Sequence, residues 1–269
     1  MTDVGRSDYR RVGVVIPALN EEASLRLLLP ELVRHGLGQI VVGDNGSTDA
    51  TAAVAREHGC TVAHAPRRGY GAACWEAMQA LDSGVDVVLF VDADCSDDLS
   101  RIPDVVGPVL CGDADLVIAT RDAPTVEAGA LTLQQRWGNH LAVSLIRFHW
   151  GYRYRDLGPF RAISRAALDQ IAMRDRAYGW TVEMQIRAIQ EGLRIRQVSV
   201  HYKRRVGESK IAGTVRGTIK AGYWILATIL RHWMRRESPV VRDGDRDPAS
   251  MEAAAACSAE AGSGPDACG

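Results

Sequence analysis

The chain is expected to fold as a doubly wound α/β domain, and three observations carry that expectation. Short apolar, β-branched runs recur at Val12–Ile16, Gln39–Val42 and Val87–Val91 without polar alternation, the mark of parallel strands covered on both faces. Each run ends in a polar, acid-bearing loop. In the first two a helical pattern begins directly behind that loop, and the third points to a capped helix. Three such repeats in about a hundred residues gather the loops along the carboxyl edge of one sheet.

The elements follow in order. Residues 1–10 read as a loose leader before the strand at Val12–Ile16. After the loop from Pro17 to Glu22, Ser24, an N-cap type, precedes Leu25, Leu27, Leu28 and Leu29 of a first helix. The second strand runs into Gly43-Asp44-Asn45-Gly46-Ser47-Thr48-Asp49. There Asn45-Gly46 makes a turn, and Thr48 or Asp49 caps a helix from Ala50 to Glu57. A strand at Thr61–Ala63 leads into Pro66-Arg67-Arg68-Gly69-Tyr70-Gly71-Ala72-Ala73. Its glycines let backbone N–H groups approach a ligand and its arginines add charge-assisted donors, although a simple helix-entry turn reads the same way. The third glycine of a dinucleotide fingerprint is missing. The run at Val87–Val91 ends in Asp92-Ala93-Asp94, and Asp97 and Asp98 read as caps of the next helix.

A further strand at Leu116–Ala119 completes a first half, residues 11–120. A linker of small residues, Asp122 to Gly129, opens a second half that runs to residue 211. It holds a helix with Leu133, Trp137, Leu141, Leu145 and Phe148 on one apolar face. A strand near Pro159 to Ile163, a helix from Thr181 to Glu191 and an alternating strand (Ile195, Gln197, Ser199, His201) follow. Residues 212–236 form an amphipathic helix. Val215, Ile219, Leu226, Ile229, Leu230 and Trp233 share one face, with Arg216, Lys220, Arg231 and Arg235 on the other. It reads either as a helix lying in an anionic membrane interface or as one packed on the domain; Tyr223, Trp224 and Trp233 suit the interface. Residues 237–269, with almost no bulky apolar side chains beyond Ser238, are expected to be disordered.

Composition narrows the function. Apolar content of 46% and charged content of 24% are those of a soluble globular domain. A net charge of −1 offers no global basic field for nucleic acid. Locally, however, His201 to Arg236 holds nine Lys or Arg against one acid, Glu208, which points to an anionic partner. The six cysteines, at 60, 74, 95, 111, 257 and 268, form no C-x-x-C pair and no zinc spacing. Met1 to Arg11 has no apolar signal core, and the longest apolar stretch, Ala221 to Leu230, is too short to span a bilayer. A cytoplasmic protein is expected, placed at most peripherally on the inner face of the membrane.

The chemistry centres on Asp92 and Asp94. Two carboxylates one residue apart at a strand end are hard oxygen ligands for Mg2+ or Mn2+, ions that keep waters and are bridged by substrate phosphates. Cys95 beside them is a poor ligand for a hard cation.

Taken together, Pro17-Ala18-Leu19-Asn20-Glu21, Asp44-Asn45-Gly46-Ser47-Thr48-Asp49 and Asp92-Ala93-Asp94 resemble the family 2 inverting glycosyltransferases of GT-A fold. Three later blocks resemble the dolichyl- and polyprenyl-phosphate sugar synthase branch: Asp156-Leu157-Gly158-Pro159-Phe160-Arg161-Ala162, Gly179-Trp180-Thr181-Val182-Glu183-Met184, and Arg204-Arg205-Val206-Gly207-Glu208-Ser209-Lys210. The resemblance spans roughly residues 11 to 236. It implies a single GT-A domain with a mainly parallel mixed sheet, a UDP- or GDP-linked hexose donor and a divalent cation.

By that resemblance Pro17, Ala18, Asn20, Glu21 and Asp44 face base and ribose, and Arg67 and Gly69 approach the donor. Asp92 with Ala93 meets the ribose or a metal-bound water, while Asp94 contacts the cation. Where the family commonly has two consecutive acids, Asn45 follows Asp44 here. Arg205, Ser209 and Lys210 receive phosphate. Asp156 and Glu183 are the two candidates for a general base, needed for a hydroxyl acceptor but not for an anionic lipid phosphate; Glu183 reads equally as a helix-start carboxylate. The expected acceptor is a polyprenyl phosphate, with a soluble hydroxyl compound as the alternative. A nucleotide-sugar-binding protein without turnover is the third reading. The sequence is silent on oligomeric state.

Overall fold

The computed structural model of the chain describes residues 8–121, 126–206 and 215–234, with side chains of the last helix described from Gly222. The first seven residues of the expected leader, most of the linker's opening, Ser209, Lys210 and the expected disordered tail lie outside the described residues.

Among the described residues seven strands form one sheet: β1 (Val12–Ala18), β2 (Gln39–Asp44), β3 (Thr61–His64), β4 (Val87–Phe90), β5 (Leu116–Thr120), β6 (Arg161–Ser164) and β7 (Ile195–Ser199). Their order is β3-β2-β1-β4-β6-β5-β7. All pairs are parallel except those of β6, which runs antiparallel to β4 and β5. Among the described residues eight α-helices flank the sheet: α1 (Glu22–Arg34), α2 (Thr51–Glu57), α3 (Tyr70–Gln79), α4 (Ile102–Leu110), α5 (Leu133–Trp150), α6 (Arg165–Ile171), α7 (Trp180–Gln190) and α8 (Val215–Met234).

The unalternating runs are explained by two cores. Val14, Ile16, Leu89, Val117 and Ala162 point to the face covered by α1, α2 and α4. Val15, Phe90, Leu116, Ile118 and Ile163 point to the face covered by α3, α5, α6, α7 and α8. Because successive strand residues alternate between the faces, both must be apolar. Each fully buried Leu, Ile or Phe contributes about 1.5–3 kcal/mol of transfer free energy.

Several elements depart from the sequence reading. Helix α1 starts at Glu22, and Ser24 sits buried in its first turn, its hydroxyl donating to Glu21 (2.6 Å) instead of capping the helix. Asp49 serves two helix starts at once, accepting from the backbone N–H of Thr51 (3.0 Å) and of Glu22 (3.2 Å). Helix α6, opened by the Ser164 side chain accepting from Ala167, went unread. Most notably, the apolar face read for α5 is not its buried face. Ala142, Ile146 and Trp150 are buried, while Leu133, Trp137 and Phe148 are each more than 70% exposed.

Candidate active site

Loops at the carboxyl ends of β1, β2, β4 and β5 build one site. The first is tied to the second. Asn20 takes a left-handed backbone (φ 52°), which a short polar side chain tolerates. Its N–H donates to Ser47 Oγ (2.9 Å) and its Oδ1 accepts from the Thr48 N–H (2.7 Å). The Glu21 N–H donates to Thr51 Oγ1 (2.9 Å). These contacts make Asn20 and Glu21 the joint between two loops, with Pro17 and Ala18 in register beside Gly43 and Asp44.

Asp44 closes β2, buried at 4% exposure. Its Oδ1 accepts from the Ser47 N–H (3.0 Å), and its Oδ2 lies 3.0 Å from His64 Nδ1. Arg56 Nη2 stands 3.3 Å from His64 Nε2. An arginine only donates, so Nε2 accepts and Nδ1 carries the proton given to Asp44. His64 was missed in the sequence reading, although it ends a strand beside Asp44.

The glycine-bearing loop answers to packing more than to ligand approach. A Cβ on Gly69 would lie 2.1 Å from the Arg176 carbonyl, and one on Gly71 would lie 2.7 Å from that of Asp175. The N–H groups of Gly71 and Ala72 donate to Ala177 and Arg176 (3.0 and 2.9 Å), and that of Gly69 to Asn45 Oδ1 (3.1 Å). Arg67 is exposed at the rim. The turn at residues 175–177 is thus fastened to this glycine-bearing loop, and the Arg176 guanidinium stacks 3.6 Å over the Trp75 ring.

Beyond β4 three carboxylates gather. Tyr70 Oη donates to Asp92 Oδ1 (2.9 Å), and the Asp92 N–H donates to Asp97 Oδ2 (3.0 Å). Asp97 therefore belongs to this cluster and does not cap the next helix; Asp98 caps a short 3-10 turn, Leu99–Arg101, ahead of α4, accepting from the Ser100 N–H. Asp94 is held by the Ser96 N–H on Oδ1 (3.0 Å) and by Arg205 Nη2 on Oδ2 (3.0 Å). The segment carrying Arg205 lies along this loop, Val206 N–H to Asp94 O at 2.8 Å and Lys203 N–H to Ser96 O at 3.0 Å. Burial, then the like charge of Asp94, pushes the Asp92 carboxyl up to about 6, and Asp97 rises well above the usual range for the same reasons. Burial and Asp94 push the Cys95 thiol up to about 11, so it stays protonated.

These residues fit a divalent cation of one kind. Among the described residues no three His, Cys, Asp or Glu converge as an all-protein cage. A pair of crowded carboxylates is instead the ligand set of an ion that completes its shell with water and substrate phosphate.

Asp156 and Glu183, offered as bases, are both saturated. Asp156, 3% exposed, accepts from the Arg121 N–H and Nε on Oδ2 (3.0 and 2.6 Å), and from Arg121 Nη2 and the Leu157 N–H on Oδ1 (both 2.8 Å). Glu183, also 3% exposed, accepts the N–H groups of Arg174 (3.0 Å) and Asp175 (2.6 Å) on Oε2. Its Oε1 faces Arg187 Nε (3.1 Å) and His232 Nε2 (3.8 Å). Burial would raise the Glu183 carboxyl, but the His232 contact, the two backbone donors and the Arg187 charge outweigh it and hold it at about 2. A carboxylate offers about four lone-pair positions; Asp156 has four hydrogen-bond donors, and Glu183 has three, its remaining side closed by the buried His232 at 3.8 Å.

Two arginines escaped the sequence reading. Arg121, one residue past β5, is locked by Asp156, stacks over Tyr202 (5.2 Å to the centroid) and lends positive charge to Asp92 and Asp97. Arg161, 2% exposed, donates to the carbonyls of Gly158, Pro159 and Thr181 and also acts on Asp92. For Arg121 the signal was its place at the site edge of a strand.

The profile of glycosyl transferase family 2 matches residues 13–172. The chain is a family 2 glycosyltransferase. An uncharacterised glycosyltransferase of Mycobacterium tuberculosis is 37% identical over 215 residues, 78% of this chain and 94% of that one. The undecaprenyl-phosphate mannosyltransferase of Micrococcus luteus is 29% identical over 238 residues, 81% and 95% of the two chains. Among solved structures, glucosyl-3-phosphoglycerate synthase of M. tuberculosis superposes with a TM-score of 0.69 at 23% identity, covering 91% of this glycosyltransferase and 87% of the synthase. That synthase was crystallised with Mn2+, uridine diphosphate and glucosyl-3-phosphoglycerate. The likeness establishes the GT-A fold, here with its mainly parallel seven-stranded sheet and flanking helices.

Proposed function

We propose that this glycosyltransferase is an inverting, metal-dependent hexosyltransferase that moves the sugar of a UDP- or GDP-linked donor onto a polyprenyl phosphate at the inner face of the cytoplasmic membrane. The observation that carries the acceptor class is the saturation of Asp156 and Glu183. A hydroxyl nucleophile needs a carboxylate with an open lone pair to take its proton. A phosphate oxygen is already anionic and needs none. The similarity to the undecaprenyl-phosphate mannosyltransferase supports the same reading.

In this reading Asp44, aimed by Ser47 and His64, holds the base or ribose. Asp94 and Asp92 hold Mg2+ or Mn2+, which when bound neutralises charge developing on the leaving diphosphate. Arg205 lies 3.0 Å from Asp94 and is placed to pair with phosphate; Ser209 and Lys210, outside the described residues, are assigned the same role on sequence resemblance alone. Asp156 acts by fixing Arg121 beside the carboxylates. Glu183 acts by holding the turn at 174–177 against the glycine-bearing loop. Both are positioning residues.

A second reading keeps the donor and takes a soluble acceptor. It draws on the solved synthase, whose acceptor is phosphoglycerate, and on the fact that no described helix is long and apolar enough to cross a membrane. Transfer of labelled hexose into a short-chain polyprenyl phosphate tests the choice. Butanol-extractable label supports the lipid acceptor, and label found only in water-soluble product overturns it.

A further inference from the structure

We propose that α5 and α8 together form a docking surface for an anionic lipid bilayer, with α5 contributing the larger apolar part. On α5, Leu133 (71% exposed), Trp137 (74%), Leu141 (47%) and Phe148 (79%) follow one another at steps of four, four and seven residues. That spacing draws a single line down the helix, opposite the buried Ala142, Ile146 and Trp150. On α8, Leu230 (52%) and Met234 (70%) continue a second exposed line. The lines meet where the Phe148 ring lies 6.3 Å from that of Trp233, with His149 4.8 Å from the same indole. Single exposed apolar side chains are ordinary. Two adjoining helices that each carry a row of them, joined at Phe148 and Trp233, form one contiguous apolar patch, the feature that marks an interaction site.

Charge selects the occupant. Neither the 18 residues of α5 nor the 20 of α8 include an Asp or Glu. Arg136 and Arg147 lie along one border of the α5 line, and Arg231 lies on α8. A second copy of the chain would set this patch against itself in a two-fold interface, bringing like charges together with no acid on either helix to pair them. A bilayer with anionic headgroups satisfies both features. Interfacial helices bury an apolar face to about 5–10 Å while flanking cations meet the headgroups. The aromatic Trp137 and Phe148 are side chains of the kind that settle at that boundary. This docking goes beyond the acceptor reading and stands whether the sugar goes to a lipid phosphate or to a soluble compound.

The test is flotation of the full chain with phosphatidylcholine vesicles, with and without phosphatidylglycerol, across a salt series. The protein is expected to float with anionic vesicles at low salt, and its tryptophan fluorescence to be quenched by brominated acyl chains. The double variant Trp137→Gln/Phe148→Gln alters only exposed side chains and should lower the partition coefficient at least about tenfold. Arg136→Gln/Arg147→Gln should remove the preference for anionic over neutral vesicles. Failure to float at low salt overturns the proposal. So does flotation that Trp137→Gln/Phe148→Gln leaves unchanged, since binding would then be purely ionic. A dimer in solution that the same variant splits into monomers also overturns it, by assigning the face to a second copy. Donor turnover with a soluble acceptor, measured in parallel, separates a wrong docking surface from a wrong acceptor.

Discussion

Replacing Glu183 by Gln distinguishes a base from a positioning group. The carboxylate is buried and accepts from the backbone N–H groups of Arg174 and Asp175, with Arg187 and His232 on its other oxygen. Its carboxyl is held at about 2, below the usual 4.5, so folding favours the ionised form. The sign follows: the stabilisation is complete above pH 4.5 and is lost as pH falls through about 2. The gap amounts to roughly 3–3.5 kcal/mol at neutral pH. Gln keeps an acceptor for the backbone but sets an amide donor against Arg187 and His232, so Glu183→Gln should lose about that much in urea unfolding at pH 7. The deficit should shrink by roughly 1–1.5 kcal/mol between pH 7 and pH 3.5, because the unfolded chain takes up a proton there while the folded carboxylate stays ionised. In kinetics the apparent Michaelis constant for the donor should rise, since the turn at 175–177 fastens Gly71 and Ala72, and the pH profile of the rate should keep its shape. If Glu183→Gln unfolds within about 0.5 kcal/mol of the parent while the maximal rate collapses and a pH limb disappears, the positioning role is refuted and Glu183 is the base.

Three further outcomes are expected. Asp94→Asn should remove most turnover while leaving the unfolding midpoint near that of the parent, and chelator should do the same to the unmodified chain; full activity in excess chelator would refute the metal role. Asp44→Ala should raise the Michaelis constant for the donor with little change in maximal rate, the signature of lost uniform binding; a collapsed rate at unchanged Michaelis constant would place Asp44 elsewhere. Truncation after Ala212 should weaken binding to anionic vesicles, leaving the share carried by α5, and abolish transfer to polyprenyl phosphate, with donor hydrolysis lowered as Glu183 loses His232. Retained lipid transfer would show that the last helix is dispensable.

How much could be read from residues alone depended on the range of the interactions. The strands and their acid-bearing loops were legible because a strand covered on both faces must be apolar throughout, and Asp44, Asp92 and Asp94 stand directly at strand ends. The antiparallel insertion of β6 between β4 and β5 left no local mark, since Arg161–Ser164 is too short to show its direction. The saturation of Asp156 was hidden because its main partner, Arg121, is 35 residues away. That of Glu183 rests largely on backbone N–H groups, which composition cannot reveal. Helix α5 misled for a different reason. Its longer apolar row faces outward, while the shorter row of Ala142, Ile146 and Trp150 is the one buried in the core.

The central claim, a metal-dependent transferase that needs no carboxylate base for its acceptor, is tested most directly by one measurement. Nucleotide diphosphate release is followed across a panel of UDP- and GDP-sugars, with and without Mn2+, in the presence of a polyprenyl phosphate or of soluble hydroxyl acceptors. The account predicts release with one donor class, dependent on Mn2+ and stimulated by the polyprenyl phosphate alone. Release that ignores the metal, release that responds only to a hydroxyl acceptor, or no release with any donor of the panel would contradict it.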